Sequence, residues 1–127
     1  MKSTVIQRIA ETVDAFHTCE KNDNEEWRER HFETLQELER EALPRGSGID
    51  NGVRIDIQAS TMDFVTLRTS FHHMNEHGYY VGWSEHTIVV TPAFRGVNLR
   101  ITGRNRNEIK DYLHEVFEHA LTREIED

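Results

Sequence analysis

Three segments of the chain place apolar residues at intervals of three and four, the pattern of an amphipathic helix. The first two lie within residues 1–43 and are separated at 22–24, where Asp23 and Glu26 have the spacing of a capping box. Pro44 ends the second helix, because a residue before proline avoids helical geometry. The third helix is predicted over 105–125, with Asn105 as its N-cap.

Between residues 53 and 102 apolar and polar residues alternate instead, as in strands with one buried face. After a linker at 44–52 we predict four strands: one from Val53, one near 62–73, one near 79–91 and one from Val97. The predicted fold class is α+β, in one domain spanning 1–127. Two N-terminal helices, a four-stranded antiparallel β-meander (53–102) and a C-terminal helix would pack on one sheet face.

The central hairpin can be given a register. If residues 75–78 form a four-residue loop, Met74 pairs with Tyr79 and Leu67 lies opposite His86. A slip of one residue would exchange the two faces. In this register His73 and His86 face the core, whereas the outer face carries His72, Trp83 and Glu85.

Charge is distributed unevenly. The net charge is −8, with −5 in residues 1–43, −5 in 108–127 and +2 in 44–107. Such an acidic chain does not suit a general nucleic-acid coat, because phosphate binding depends on Lys and Arg. The single cysteine, Cys19, together with the lack of a signal-like or membrane-length apolar run, leads us to expect a cytoplasmic protein without membrane partners.

The densest chemistry lies in residues 71–86, which hold four histidines, two glutamates, two tyrosines and a tryptophan. One interpretation is a divalent-metal site for a small hydrolase or nuclease-like enzyme, since zinc takes three or four converging ligands. Its candidate ligands are His72, Glu76, His77 and Glu85. Adjacent strand residues face opposite ways, so His72 and His73 would need a bulge to share a metal. No catalytic residue is assigned, and no other cofactor is expected.

A second interpretation makes the same hairpin a recognition surface. Tyr and Trp dominate interface hot spots because they bury a large area and keep a polar tip. The candidates are His72, His77, Tyr79, Tyr80, Trp83 and Glu85. The structural alternative is that His73 and His86 are hydrogen-bonded residues at the core edge and His77 is a solvated turn residue.

Arginines cluster before the last helix, in Gly103–Asn107. Arg104 and Arg106 would lie at a helix N-terminus, where N–H groups and the helix dipole favour a phosphate or carboxylate. Arg95, Arg100 and Lys110 would extend the cluster; solvated arginines around a capping asparagine are the alternative. With Arg54 and Arg68, Arg100 could also form a basic sheet face for a nucleic-acid-binding module.

Several short runs resemble a group of small uncharacterised proteins of bacteriophages and related mobile elements. They lie at 43–44, 46–50, 72–75, 78–80, 82–83, 85–87 and 103–107. The resemblance implies a host-facing accessory role in the cytoplasm of a bacterial host, without assigning any activity. We therefore expect a non-enzymatic protein that binds a host or phage protein, such as an inhibitor of host defence or nucleic-acid machinery. Pairing of sheet edges could also make a homodimer.

Overall fold

The computed structural model describes residues 2–46, 48–49, 51–93, 96–104 and 107–126. The four central strands form an antiparallel sheet in chain order, so the predicted α+β architecture is confirmed. The elements are β1 (Lys2–Thr4), α1 (Val5–Lys21), α2 (Glu25–Glu41), β2 (Val53–Asp56), β3 (Val65–Met74), β4 (Tyr80–Ala93), β5 (Gly96–Thr102), α3 (Asn107–Thr122) and β6 (Glu124–Glu126).

The core lies between the helices and one face of this sheet. Alternation puts Leu67 and Ile88 on that face, and the helical period turns Ile9, Leu35 and Phe117 towards it. All five are at most 1% exposed, and they belong to one continuous apolar cluster. The opposite sheet face, with Arg54, Arg68 and Arg100, is left without a covering helix among the described residues.

A short pairing near the two ends of the chain is absent from the sequence prediction. β1 and β6 form a separate antiparallel sheet in which Ser3 pairs with Ile125. The backbone N–H of Val5 also donates to the carbonyl of Arg123 at 2.9 Å. Strands of three residues are too short to show a period, so the sequence pattern cannot reveal them.

The helix starts differ in detail from the prediction. Thr4 and Gln7 form a reciprocal capping box at the start of α1. At α2 the N-cap is Asn24, whose side chain accepts from the N–H of Trp27, so the predicted box at Asp23 is wrong by one residue. Asp23 takes a left-handed turn conformation instead (φ 54°). The predicted N-cap of α3, Asn105, lies outside the described residues.

The hairpin register is also wrong, by two residues. Leu67 pairs with Ile88 rather than His86, and Met74 pairs with Tyr80. One extra residue enters because the loop runs from 75 to 79, and a second because Val81 forms a bulge. A shift of two preserves the faces, so His73 and His86 face the core and His72, Trp83 and Glu85 face outwards as predicted.

No helix among the described residues is both long and apolar enough to cross a membrane.

Candidate binding surface

The β3–β4 hairpin extends beyond the rest of the sheet as a two-stranded ribbon. β2 pairs with β3 only as far as Thr69, and β5 pairs with β4 only from Thr87 onwards. Residues 70–74 and 80–86 therefore have no further strand beside them in the described part of the chain. On the β3 side the carbonyl of Gly48 accepts from the N–H of His72 at 2.9 Å, which ties the preceding loop to the ribbon.

Asn75 organises the ribbon's tip. Its side-chain oxygen accepts from the backbone N–H groups of His77 and Tyr79, at 2.9 and 3.0 Å. Its own N–H donates to the carbonyl of Tyr79, and its carbonyl accepts from Gly78, which has a φ of 81° that suits glycine. The loop that carries Tyr79 is thus held by four hydrogen bonds to one residue.

The ribbon presents a cluster of exposed apolar side chains. His72, predicted as part of the same surface, is half-buried and stands edge-on to the ring of Tyr80, with centroids 5.7 Å apart. Single exposed apolar residues are normal, but a contiguous group on a projecting element is typical of interaction sites. We call this group the tip surface; its members each expose 56% to 71% of their area and are Met74, Tyr79, Tyr80, Val81 and Trp83.

Beneath the ribbon, His73 and His86 occupy different environments. The Nε2 atom of His73 lies 2.9 Å from Oγ of Ser84, and its ring packs against Phe71. His86 is 1% exposed; burial lowers its pKa, and His73 and Lys110 lower it further. These effects all favour the neutral form of the His86 imidazole.

The His73–Ser84 contact has the distance of a base–nucleophile pair. Such pairs need a third group that fixes the tautomer of the histidine. No acidic side chain of the described residues bonds to the second ring nitrogen of His73. The contact links the two strands of the ribbon.

The four candidate metal ligands do not converge. His77 and Glu76 are neighbours at the loop, 3.7 Å apart and both largely exposed. His72 lies against Tyr80, while Glu85 lies opposite Ser70 farther along the outer face. Within the described ranges, no three His, Cys, Asp or Glu side chains are grouped so that they could hold a metal ion.

The arginines divide into two groups. Arg104 is exposed and makes no hydrogen bond or ion pair with a described residue, while Arg106 and Arg95 lie outside the described residues. On the outer sheet face the Nε atom of Arg68 donates to Oδ2 of Asp56 at 2.7 Å, and this bond holds the pKa of the Asp56 carboxyl below its usual value. Arg54 pairs directly with Arg68, and Arg100 lies on the same face of β5.

The structure therefore assembles aromatic and apolar side chains on the ribbon and arginines on the adjoining sheet face. The aromatic and apolar character of the ribbon can be predicted from the sequence. Its projection beyond β2 and β5 cannot, since it depends on the lengths of those strands. Comparison of this chain with protein-family models, with curated proteins and with solved structures finds no match.

Proposed function

We propose that this chain is a binding protein that recognises another protein through its tip surface. The observation that carries the proposal is the exposure of five large apolar side chains on a ribbon that projects from the sheet. Tyr and Trp combine a large apolar area with a polar group, and few torsions must be fixed when they bind. A phage-type accessory role in a bacterial cytoplasm, directed at a host or phage protein, belongs to the same proposal.

The form of the ribbon supports recognition rather than catalysis. The four hydrogen bonds at Asn75 pre-order the loop, so little conformational entropy is lost when a partner docks on Tyr79. The metal-dependent enzyme would need ligands that do not converge among the described residues. Protein binding requires only an ordered group of exposed apolar side chains, which the ribbon presents.

The test is quantitative affinity capture with three forms of the full chain. Trp83→Ser removes a ring of the proposed surface, and Trp27→Ser is the matched control, an exposed tryptophan on α2. We expect a bacterial or phage protein that is captured by the wild type and by Trp27→Ser but lost with Trp83→Ser. For the isolated partner, removal of a hot-spot ring should weaken binding by about 30-fold or more.

Melting curves of both variants show whether the fold survives. Equal capture of the partner by all three forms, or an equal loss of capture in both variants, would rule out the tip surface as the binding site.

A further inference from the structure

The outer sheet face contains a groove next to the ribbon. Its volume is about 470 Å³. The groove lies where β2 begins, beside the base of the ribbon. Its outward-facing lining residues are Arg54, Arg68, Ser70, Glu85 and Thr87.

Two arginines lie side by side in the lining of this groove. Arg54 on β2 is the direct partner of Arg68 on β3, and like charges in directly opposite positions destabilise an antiparallel pair. The positive charge of Arg68 is partly compensated by Asp56, to which its guanidinium donates a hydrogen bond. The guanidinium also donates to the hydroxyl of Thr87 at 3.2 Å. Arg54 makes no hydrogen bond or ion pair with a side chain of the described residues.

Arg54 attracts the carboxyl group of Glu39, but no hydrogen bond or ion pair joins these two side chains. Oε1 of Glu39 accepts instead from the backbone N–H of Ile55 at 2.8 Å. The guanidinium of Arg54 thus retains donors for a group from outside. Arginine forks bind carboxylates with two parallel hydrogen bonds, which makes a carboxylate a suitable ligand.

We propose that this groove binds an acidic side chain of an extended segment of the partner protein, a proposal that rests on the proposed function. Charge complementarity favours this occupant: Arg54 and Arg68 line the groove, and Arg54 forms no ion pair with Asp56 or Glu85, the two acidic residues on this face of β2 and β4. A nucleic-acid strand fits less well. It needs cations along successive phosphates, and here Glu85 lies between the arginine pair and the rings of the ribbon.

The strands also set the spacing of the ligand. Outward positions follow β3 from Arg68 through Ser70 to His72, which pairs with Trp83. At about 3.3 Å per residue, four residues span about 13 Å. An extended segment with its acidic residue at the groove would therefore place the fourth residue along, an apolar one, at Trp83. Glu85 favours a neutral or basic residue between them.

The experiment is selection of a displayed library of random twelve-residue peptides on the full-length protein. We expect enrichment of Asp or Glu with an apolar residue four positions away. Arg54→Gln should weaken the selected peptide by about tenfold or more, and Arg100→Gln, on the same face but outside the groove, should leave it unchanged. Replacing the acidic residue of the peptide by Gln should cause a similar loss, with little further loss when combined with Arg54→Gln.

Each contrary result is distinct. Peptides whose binding depends on Trp83 but not on Arg54 would rule out the groove as a binding site and support the tip surface. Failure to enrich any peptide would overturn the groove proposal, while a larger folded partner could still bind the tip surface. Binding of the peptide only with phosphoserine in place of its acidic residue would overturn the carboxylate assignment. Binding of oligothymidylate that is lost with Arg54→Gln would identify a nucleic-acid face instead.

Discussion

His17 joins α1 to the turn that follows β2 through the Nε2 atom of its ring. Nε2 lies 3.0 Å from the carbonyl oxygens of Ile57 and Ser60, and Nδ1 lies 3.0 Å from the carboxylate of Glu20. All three partners are acceptors, so the arrangement favours the doubly protonated imidazolium. Burial alone would lower the pKa of His17, but these hydrogen bonds raise it above its ordinary value.

The first prediction concerns the pH dependence of this bond set. A raised pKa means that the folded state binds the proton more tightly, so the stabilisation is complete below about pH 6.5 and is lost as pH rises through the folded-state pKa. His17→Gln should therefore lower the unfolding free energy by about 1–2 kcal/mol at pH 5.5 and by less at pH 8.5. Urea unfolding at both pH values measures the difference.

The control is His119→Gln, which changes an exposed histidine of α3. The contribution of His86 is common to all forms and cancels in the comparison. A loss at His17 that is independent of pH would contradict the charged state of the ring.

Gly103 and Gly82 provide a matched pair for a second prediction. Their φ angles are 149° and 147°, a region that disfavours any side chain. A Cβ at Gly103 would lie 2.6 Å from Cδ2 of His86 and 2.7 Å from the carbonyl oxygen of Glu85, whereas at Gly82 it would meet nothing within 4 Å. Gly103→Ala should thus cost about 1–3 kcal/mol more than Gly82→Ala. Thermal and urea unfolding of both variants measure this difference; equal losses would show that both His86 and the Glu85 carbonyl can move aside.

At the scale of elements, α2 protects the edge of the sheet. β2 is an edge strand, and the N–H of Ile55 would be unpaired there without the carboxylate of Glu39. Edge strands with free N–H groups invite pairing with another chain, so this side-chain contact reduces that risk. Burial raises the pKa of Glu39, opposed by the Ile55 hydrogen bond and by Arg54 and Arg40.

The third prediction separates the effect of the Glu39–Ile55 hydrogen bond from the effect of the Glu39 charge. Glu39→Ala should cost about 1 kcal/mol and speed hydrogen exchange at the amide of Ile55, because the N–H loses its acceptor. Glu39→Gln keeps an acceptor oxygen and should preserve most of the protection. Glu37→Ala, at an exposed position of the same helix, controls for helix propensity. Exchange at Ile55 that is unchanged in Glu39→Ala would show that water replaces the carboxylate without loss.

Periodicity predicts elements and faces, but it does not count residues in turns. The faces of His73 and His86 follow from alternation, and a two-residue shift leaves them intact. The register itself depends on Asn75, whose side chain stabilises a five-residue loop, and on the bulge at Val81. The contacts of His17 are with carbonyls 40 and 43 residues away, which carry no side-chain signal in the sequence.

For the whole molecule, the layered fold separates charge and chemistry. The helices that carry most of the acidic residues cover one sheet face, and the arginines lie on the other, beside the ribbon. The acidic character of the helices and the basic character of the sheet segment can both be predicted from the sequence as net charges per segment. The meeting of the tip surface with the arginine groove depends on how far β2 and β5 extend, which only the structure shows.

The fourth prediction concerns metal dependence. His72, Glu76, His77 and Glu85 are spread along the ribbon from its tip to its base, and the described residues hold no cluster of three ligands. Zinc held by fewer than three protein ligands binds weakly. Protein purified without a histidine tag should contain well under one equivalent of zinc, manganese or iron, and EDTA should leave its melting temperature unchanged. Near-stoichiometric metal that EDTA removes, with a fall of several degrees, would show that the histidines of the ribbon gather around an ion. His77→Ala would then distinguish ligand from bystander, since a ligand's loss lowers the metal content and a bystander's does not.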